Sequence, residues 1–176
     1  MSAEGSKHQK GSKQQDLAEI VELIELLFFA YRDFISDPDE ILGKYGFGRA
    51  HHRVIHFVGR HPGIRVAELL DILRITKQSL GRVLKELIDT GYVLQQEGET
   101  DRRRRLLSLT DKGCDLHREL MSPQIDRIKS AIMRSGAGVN GVHRDMLFQL
   151  IDVDDREHVN RLLEQAVPHC DKTGEG

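Results

Sequence analysis

The stretch from Ile75 to Gly113, ITKQSLGRVLKELIDTGYVLQQEGETDRRRRLLSLTDKG, constrains this chain more than any other. Its first part reads as an amphipathic helix. Leu80, Val83, Leu84, Leu87 and Ile88 recur at the spacing of one buried helical stripe. Thr76 stands where a side-chain oxygen can cap the first free N–H groups. Gly91 stands where the chain leaves the last turn with φ > 0. The buried stripe leaves Lys77, Gln78, Ser79, Gly81, Arg82 and Lys85 outside, with Gln78, Arg82 and Lys85 on one face. Gln and Arg side chains can read adenine and guanine edges, so this face suits a DNA groove. Gly81 is a weak helix former, costing about 1 kcal/mol against Ala. It reads either as room for DNA or as a tolerated surface glycine.

Upstream, Val66 to Leu73 forms a second short amphipathic helix, and Arg74-Ile75 is a connection short enough for a helix-turn-helix. Downstream, Tyr92 to Gln96 and Leu106 to Leu109 are β-capable, with the polar, glycine-bearing Glu97-Gly-Glu-Thr-Asp101 as a hairpin tip between them. Arg102, Arg103, Arg104 and Arg105 alternate sides as the return strand begins, so at least two face solvent or phosphate. Thr110 caps the helix that follows. Alone, the arginine run reads as a solvated basic face. Inside a hairpin that follows a capped helix, it reads as the wing of a winged helix-turn-helix.

Asp101-Arg102-Arg103, followed by Leu109-Thr110-Asp111-Lys112-Gly113 and preceded by the Thr76-Lys-Gln-Ser79 helix, resembles the MarR family of bacterial regulators. The likeness runs from about Asp16 to Val167, and Tyr45-Gly-Phe-Gly-Arg-Ala-His-His52 is similar to the family's PetP-type alphaproteobacterial branch. The resemblance implies an obligate homodimer on double-stranded DNA, most often a repressor, with a recognition helix in each major groove and a wing arginine in each flanking minor groove. Carried onto this chain, the DNA-binding set is Thr76, Lys77, Gln78, Ser79, Arg82, Lys85, Asp101, Arg102, Arg103 and Arg104, with Asp101 bracing an arginine. Four consecutive arginines exceed the family's usual pattern and leave open which one enters the groove. The resemblance also implies release by a small aromatic or lipophilic effector. Its lining here would be Phe28, Tyr31, Arg32, Arg49, His52 and His56, each of which also reads as core or surface.

Composition alone would not have pointed to DNA. Lys and Arg number 26 against 28 Asp and Glu, a slightly acidic balance in 176 residues, enough for one domain with a real core. Charge is segregated instead: from Asn140 onward, eight Asp and Glu face four Lys and Arg. No apolar run has the length of a membrane span and the first residues lack a signal core, so the expected location is the cytoplasm. Two cysteines, Cys114 and Cys170, make no disulfide framework, and Cys114 reads as a buried structural thiol rather than a redox switch.

The expected fold is mainly α with a small β-hairpin wing. Residues 1–15 are a disordered leader, 16–47 an N-terminal dimerisation helix and connector, and 48–110 the winged domain. Residues 111–168 are C-terminal dimerisation helices and 169–176 a flexible tail. Leu17, Ile20, Val21, Ile24, Leu27, Phe28, Tyr31 and Phe34 form a stripe on a helix of about five turns. Asp37-Pro38 ends that helix. Arg49 to Gly59 is the next, and Pro62-Gly63 stops it. Beyond the wing, a helix runs from Thr110 towards Arg134, kinked at Pro123, with Leu116, Leu120, Ile125, Ile128 and Ile132 on one face. The Ser135–Gly138 break leads to a helix through Met146 and Leu150, then to one from Asp154 to about Ala166 with Val159, Leu162 and Leu163 inward.

His52 and His56 sit one helical turn apart, with His51 and His61 nearby, but no Cys or Glu completes a metal spacing. No metal or cofactor is expected. No catalytic constellation stands out, so the chain is not read as an enzyme. The competing readings are a zinc- or redox-responsive regulator of the same fold, and a winged module used for protein contacts.

Overall fold

The computed structural model describes residues 4–97, 105–136, 138 and 141–167, with side chains from residue 15 onward. Two units divide the chain, one up to Asp37 and one from Pro38. Helix α1, Glu4–Lys44, runs through both. In the first unit, Leu17, Ile20, Ile24, Phe28 and Tyr31 are between 50% and 70% exposed. Their apolar surface therefore finds no cover among the described residues.

Two expectations for α1 are corrected. Residues 4–15, read as a disordered leader, are helical. Their Lys, Gln and Glu are good helix formers, and extending an existing helix avoids the nucleation cost. Pro38 does not end the helix but lies inside it, fully buried. Leu42, 0% exposed, follows it into the core of the second unit. That burial offsets the backbone bond a proline removes.

The second unit is built on α2 (Arg49–Arg60), α3 (Val66–Leu73) and α4 (Lys77–Asp89). Three antiparallel strands close it: β1 (Ile64–Arg65), β2 (Val93–Glu97) and β3 (Arg105–Leu109), in the order β1-β3-β2. Val93 pairs with Leu109 and Glu97 with Arg105, so Glu97, expected in the hairpin tip, is a strand residue, and the rest of the expected tip lies outside the described residues. Strand β1 was not expected from the sequence, because two residues after Pro62-Gly63 carry no period. Ile64 is nonetheless drawn in against Leu107, and both are buried. Val54, Ile55, Val58, Leu69, Leu73, Leu80, Leu84, Leu87, Leu107 and Leu109 form the core.

Helix α5, Asp111–Ser135, carries Pro123 and ends at Gly136 with φ 68°. Helix α6 (Val142–Gln149), a 3-10 turn (Val153–Asp155) and α7 (Arg156–Gln165) follow. Leu116 and Leu120 of α5 are buried, whereas Ile128 is 50% exposed and Met133 82%. Leu163, expected inward, is 55% exposed. The apolar stripe of α7 is broader than one chain's core can cover. Cys114, expected to be a thiol, is buried and disulfide-bonded, with its partner outside the described residues.

Candidate nucleic-acid interface

Helix α4 owes its position to both of its ends. Thr76 caps the start: its Oγ1 accepts from the Ser79 N–H at 3.1 Å. At the other end Gly91 takes φ 77°, and the Tyr92 N–H reaches back to the Leu87 carbonyl at 2.8 Å, the closure a left-handed C-cap provides. Leu80, Val83, Leu84 and Leu87 face the core and are at most 7% exposed. Rotation of the helix is thereby fixed, and Thr76, Lys77, Gln78, Ser79, Gly81, Arg82 and Lys85 all lie on the open side. A Cβ on Gly81 would meet nothing within 4 Å, so no neighbour in the fold demands glycine there.

Three members of this set are occupied: besides capping the Ser79 N–H, the Thr76 hydroxyl donates to the Ser79 Oγ at 2.9 Å. Lys85 forms an ion pair with Asp89 one turn on, which was not expected from the sequence although the i, i+4 spacing was legible. Among the described residues, no side chain holds Lys77, Gln78 or Arg82.

The rest of the face is braced from behind. His51, on α2, accepts from the Gly48 N–H at 3.1 Å through Nδ1, which leaves the proton on Nε2, 3.0 Å from the Glu86 carboxylate of α4. Its ring stacks on Phe47 with centroids 4.7 Å apart. His51 is thus a tie between two helices of the winged domain. Among the described residues no group of three or more His, Cys, Asp or Glu is arranged to hold a metal.

The Leu109–Gly113 segment joins the wing to α5. The Thr110 Oγ1 donates to the Gly91 carbonyl at 2.7 Å and accepts from the Gly113 N–H at 3.0 Å. Lys112 donates to the Thr90 carbonyl at 2.9 Å and lies 4.1 Å from the centre of the Tyr92 ring. A Cβ on Gly113 would stand 2.1 Å from the Tyr92 carbonyl oxygen. The segment is therefore a joint that sets α5 against the end of α4 and the root of the wing. Of the wing arginines, Arg105 is described and lies 3.5 Å from Glu97 across the hairpin. Asp101, Arg102, Arg103 and Arg104 lie outside the described residues.

The six residues expected to line an effector site fall in two units. Phe28, Tyr31 and Arg32 belong to the first, where Phe28 is 70% exposed and Arg32 bonds Asp33 at 2.8 Å. Arg49, His52 and His56 belong to the second, where Arg49 bonds Asp39 at 2.8 Å. Burial lowers the pKa of His52 and pushes that of His56 down to about 4, helped by the neighbouring His117 of α5. The His56 and His117 ring centroids are 5.8 Å apart.

A capped helix presented outward at the front of a three-stranded winged domain defines a winged helix-turn-helix protein. The sequence pattern of the MarR family matches residues 45–104. The chain is 46% identical over 139 residues to the HTH-type transcriptional regulator PetP of Rhodobacter capsulatus, covering 79% of this chain and 84% of that protein. It therefore belongs to the MarR family and is a DNA-binding transcriptional regulator, not an enzyme. Solved structures agree in fold. The Staphylococcus aureus MepR F27L mutant bound to an oligodeoxyribonucleotide superposes with a TM-score of 0.52 at 14% identity, over 81% of this chain and 94% of that one. MarR of Listeria monocytogenes gives 0.51 at 24%, over 85% and 93%. No helix among the described residues is long and apolar enough to cross a membrane.

Proposed function

We propose that this chain acts as a homodimeric repressor on a pseudo-palindromic operator, with the N-terminal half of α4 reading the major groove. The observation that carries this reading is the open face of α4. Capping and core packing fix its rotation, and among the described residues Lys77, Gln78 and Arg82 are left uncommitted on the outside. Gln78 and Arg82 are the base readers, and Thr76, Lys77 and Ser79 hold phosphate at the helix N-terminus. The paired Lys85 contributes charge rather than base contacts. Arg102, Arg103 and Arg104 reach the flanking minor groove, and Asp101 orients one of them. Two copies joined through their uncovered apolar helices place two α4 helices on half-sites about one helical turn apart. A dimer lodged across a promoter excludes the transcription machinery, so repression follows from occupancy.

The test is recovery and sequencing of genomic fragments held by the purified full-length protein at near-physiological salt. A shared inverted repeat in the enriched fragments is the expected result. Retention without a shared motif would leave only nonspecific phosphate binding through the wing, and no retention would remove DNA as the partner.

A further inference from the structure

We propose that Arg74 is a positioning residue for the recognition helix, held in place by Asp155 in the C-terminal part of the chain. The proposal rests on α4 being the DNA-contacting helix. Arg74 is the only non-glycine residue with positive φ among those described, at φ 50° and ψ 46°. A residue with a Cβ adopts that conformation at a steric cost that glycine escapes. It caps α3 through its N–H to the Leu70 carbonyl at 2.9 Å, and it stands two residues before Thr76, where α4 starts. An arginine in that place is explained by what its side chain does.

The guanidinium of Arg74 forms an ion pair with Asp155, and its Nη1 lies 4.0 Å from Asp152. Asp152 precedes the 3-10 turn between α6 and α7 and Asp155 is its last residue, and the Asp155 N–H bonds the Asp152 carbonyl at 2.9 Å. That turn is itself braced. Arg156 donates to the Ile151 carbonyl at 3.0 Å and to the Gln149 carbonyl at 2.7 Å. From within the winged domain, Arg53 of α2 donates to the Leu73 carbonyl at 2.8 Å. The bend of the helix-turn-helix is therefore gripped twice, once by its own domain and once by the end of the chain. Arg74 and Asp155 also share the wall of a cavity of about 620 Å³ with Ile72, Met121, His158 and Leu162. A shift of α7 in that packing is passed to the bend. Base contacts by a recognition helix depend on hydrogen-bond geometry at its first turns. A small rotation at Arg74 is thus felt at Gln78 and Arg82.

The sign of one substitution separates this role from plain electrostatics. Asp155 is an acid on a DNA-binding protein, so removing its charge should by itself tighten binding to a polyanion. Release of Arg74 predicts the reverse. Full-length protein is titrated onto an operator fragment recovered by genomic selection, across a series of salt concentrations. Asp155→Asn and Arg74→Gln should each weaken binding about two- to fivefold, the range expected for an exposed pair. The slope of affinity against salt should not change, because no phosphate contact is lost. Asp155→Glu should bind as the parent does, and the charge swap Arg74→Asp with Asp155→Arg should recover most of the loss. Unchanged or tighter binding by Asp155→Asn overturns the proposal. So does a slope lowered by about one in Arg74→Gln, which would make Arg74 a direct phosphate contact. Failure of the underlying reading is seen separately, as a parent protein that selects no operator at all.

Discussion

At the scale of single residues, two glycines make opposite predictions. Gly113 is there because the Tyr92 carbonyl oxygen leaves no room, 2.1 Å from where a Cβ would stand. Gly113→Ala must push backbone against backbone at the joint of wing and α5, and should lower stability by about 3 kcal/mol, read as the shift of the urea midpoint. Gly81 has no such neighbour. Gly81→Ala should raise stability by about 1 kcal/mol through helix propensity alone. The same variant should bind operator more weakly, since the added methyl group stands on the face proposed to enter the groove. Binding at parental strength would show that the groove leaves space there. His56 supplies a pH dependence. Its pKa in the folded chain is about 4, against an ordinary value of 6.5, because burial and His117 disfavour its charged form, with His52, Arg60 and His61 adding to the effect. The unfolded chain binds this proton more readily, so nothing is lost above pH 6.5 and stability falls as pH drops from there towards 4. Near pH 5 the loss should be about 2 kcal/mol, and His56→Gln should flatten that part of the melting-temperature profile.

Elements were legible where a period and a punctuating residue coincided. Helices α3 and α4 follow from the apolar spacing together with Thr76 and Gly91, and the structure places both caps where those residue types demand them. The exposed face of α4 was legible for the same reason: once the buried stripe is known, the remainder points outward. What was not legible depends on partners distant in sequence. Strand β1 exists because Leu107 pairs with Ile64, forty-three positions away in the chain. Pro38 is tolerated inside α1 because the core buries it, which no local rule for proline contains. The αL conformation of Arg74 and its pairing with Asp155 lie likewise beyond any window of sequence. For the wing, the prediction belongs to the hairpin as a unit. Its strands are in register from Val93–Leu109 to Glu97–Arg105. Arg103→Ala should weaken binding to all sequences alike and lower the salt slope by about 0.9, while leaving base preference intact. A change of preferred sequence instead would assign Arg103 to base readout.

At the scale of the whole molecule, apolar surface left open among the described residues argues for assembly. Monomeric proteins rarely expose a contiguous apolar patch beyond a few hundred Å². Here Leu17, Ile24, Phe28 and Tyr31 near one end of the chain are at least half exposed, and so are Met133, Val142, Leu147 and Leu150 towards the other. None of these residues belongs to the winged core, so folding alone does not account for them. In the proposed dimer a second copy would offer the same two surfaces, and a two-fold axis would set two α4 helices facing two half-sites. Sedimentation of the purified protein at micromolar concentration should therefore give a dimer. Phe28→Asp tests the coupling between assembly and reading. Phe28 is 70% exposed in one chain, so the substitution should leave the winged domain folded. Desolvating an unpaired carboxylate in the interface costs at least about 3 kcal/mol, enough to weaken dimerisation by more than about a hundredfold. Operator binding should then require far more protein and rise more steeply with its concentration, because assembly must precede the two-site contact. A Phe28→Asp variant that stays dimeric would move the interface to the C-terminal helices. One that is monomeric yet binds operator at parental strength would overturn the dimeric mode of reading altogether.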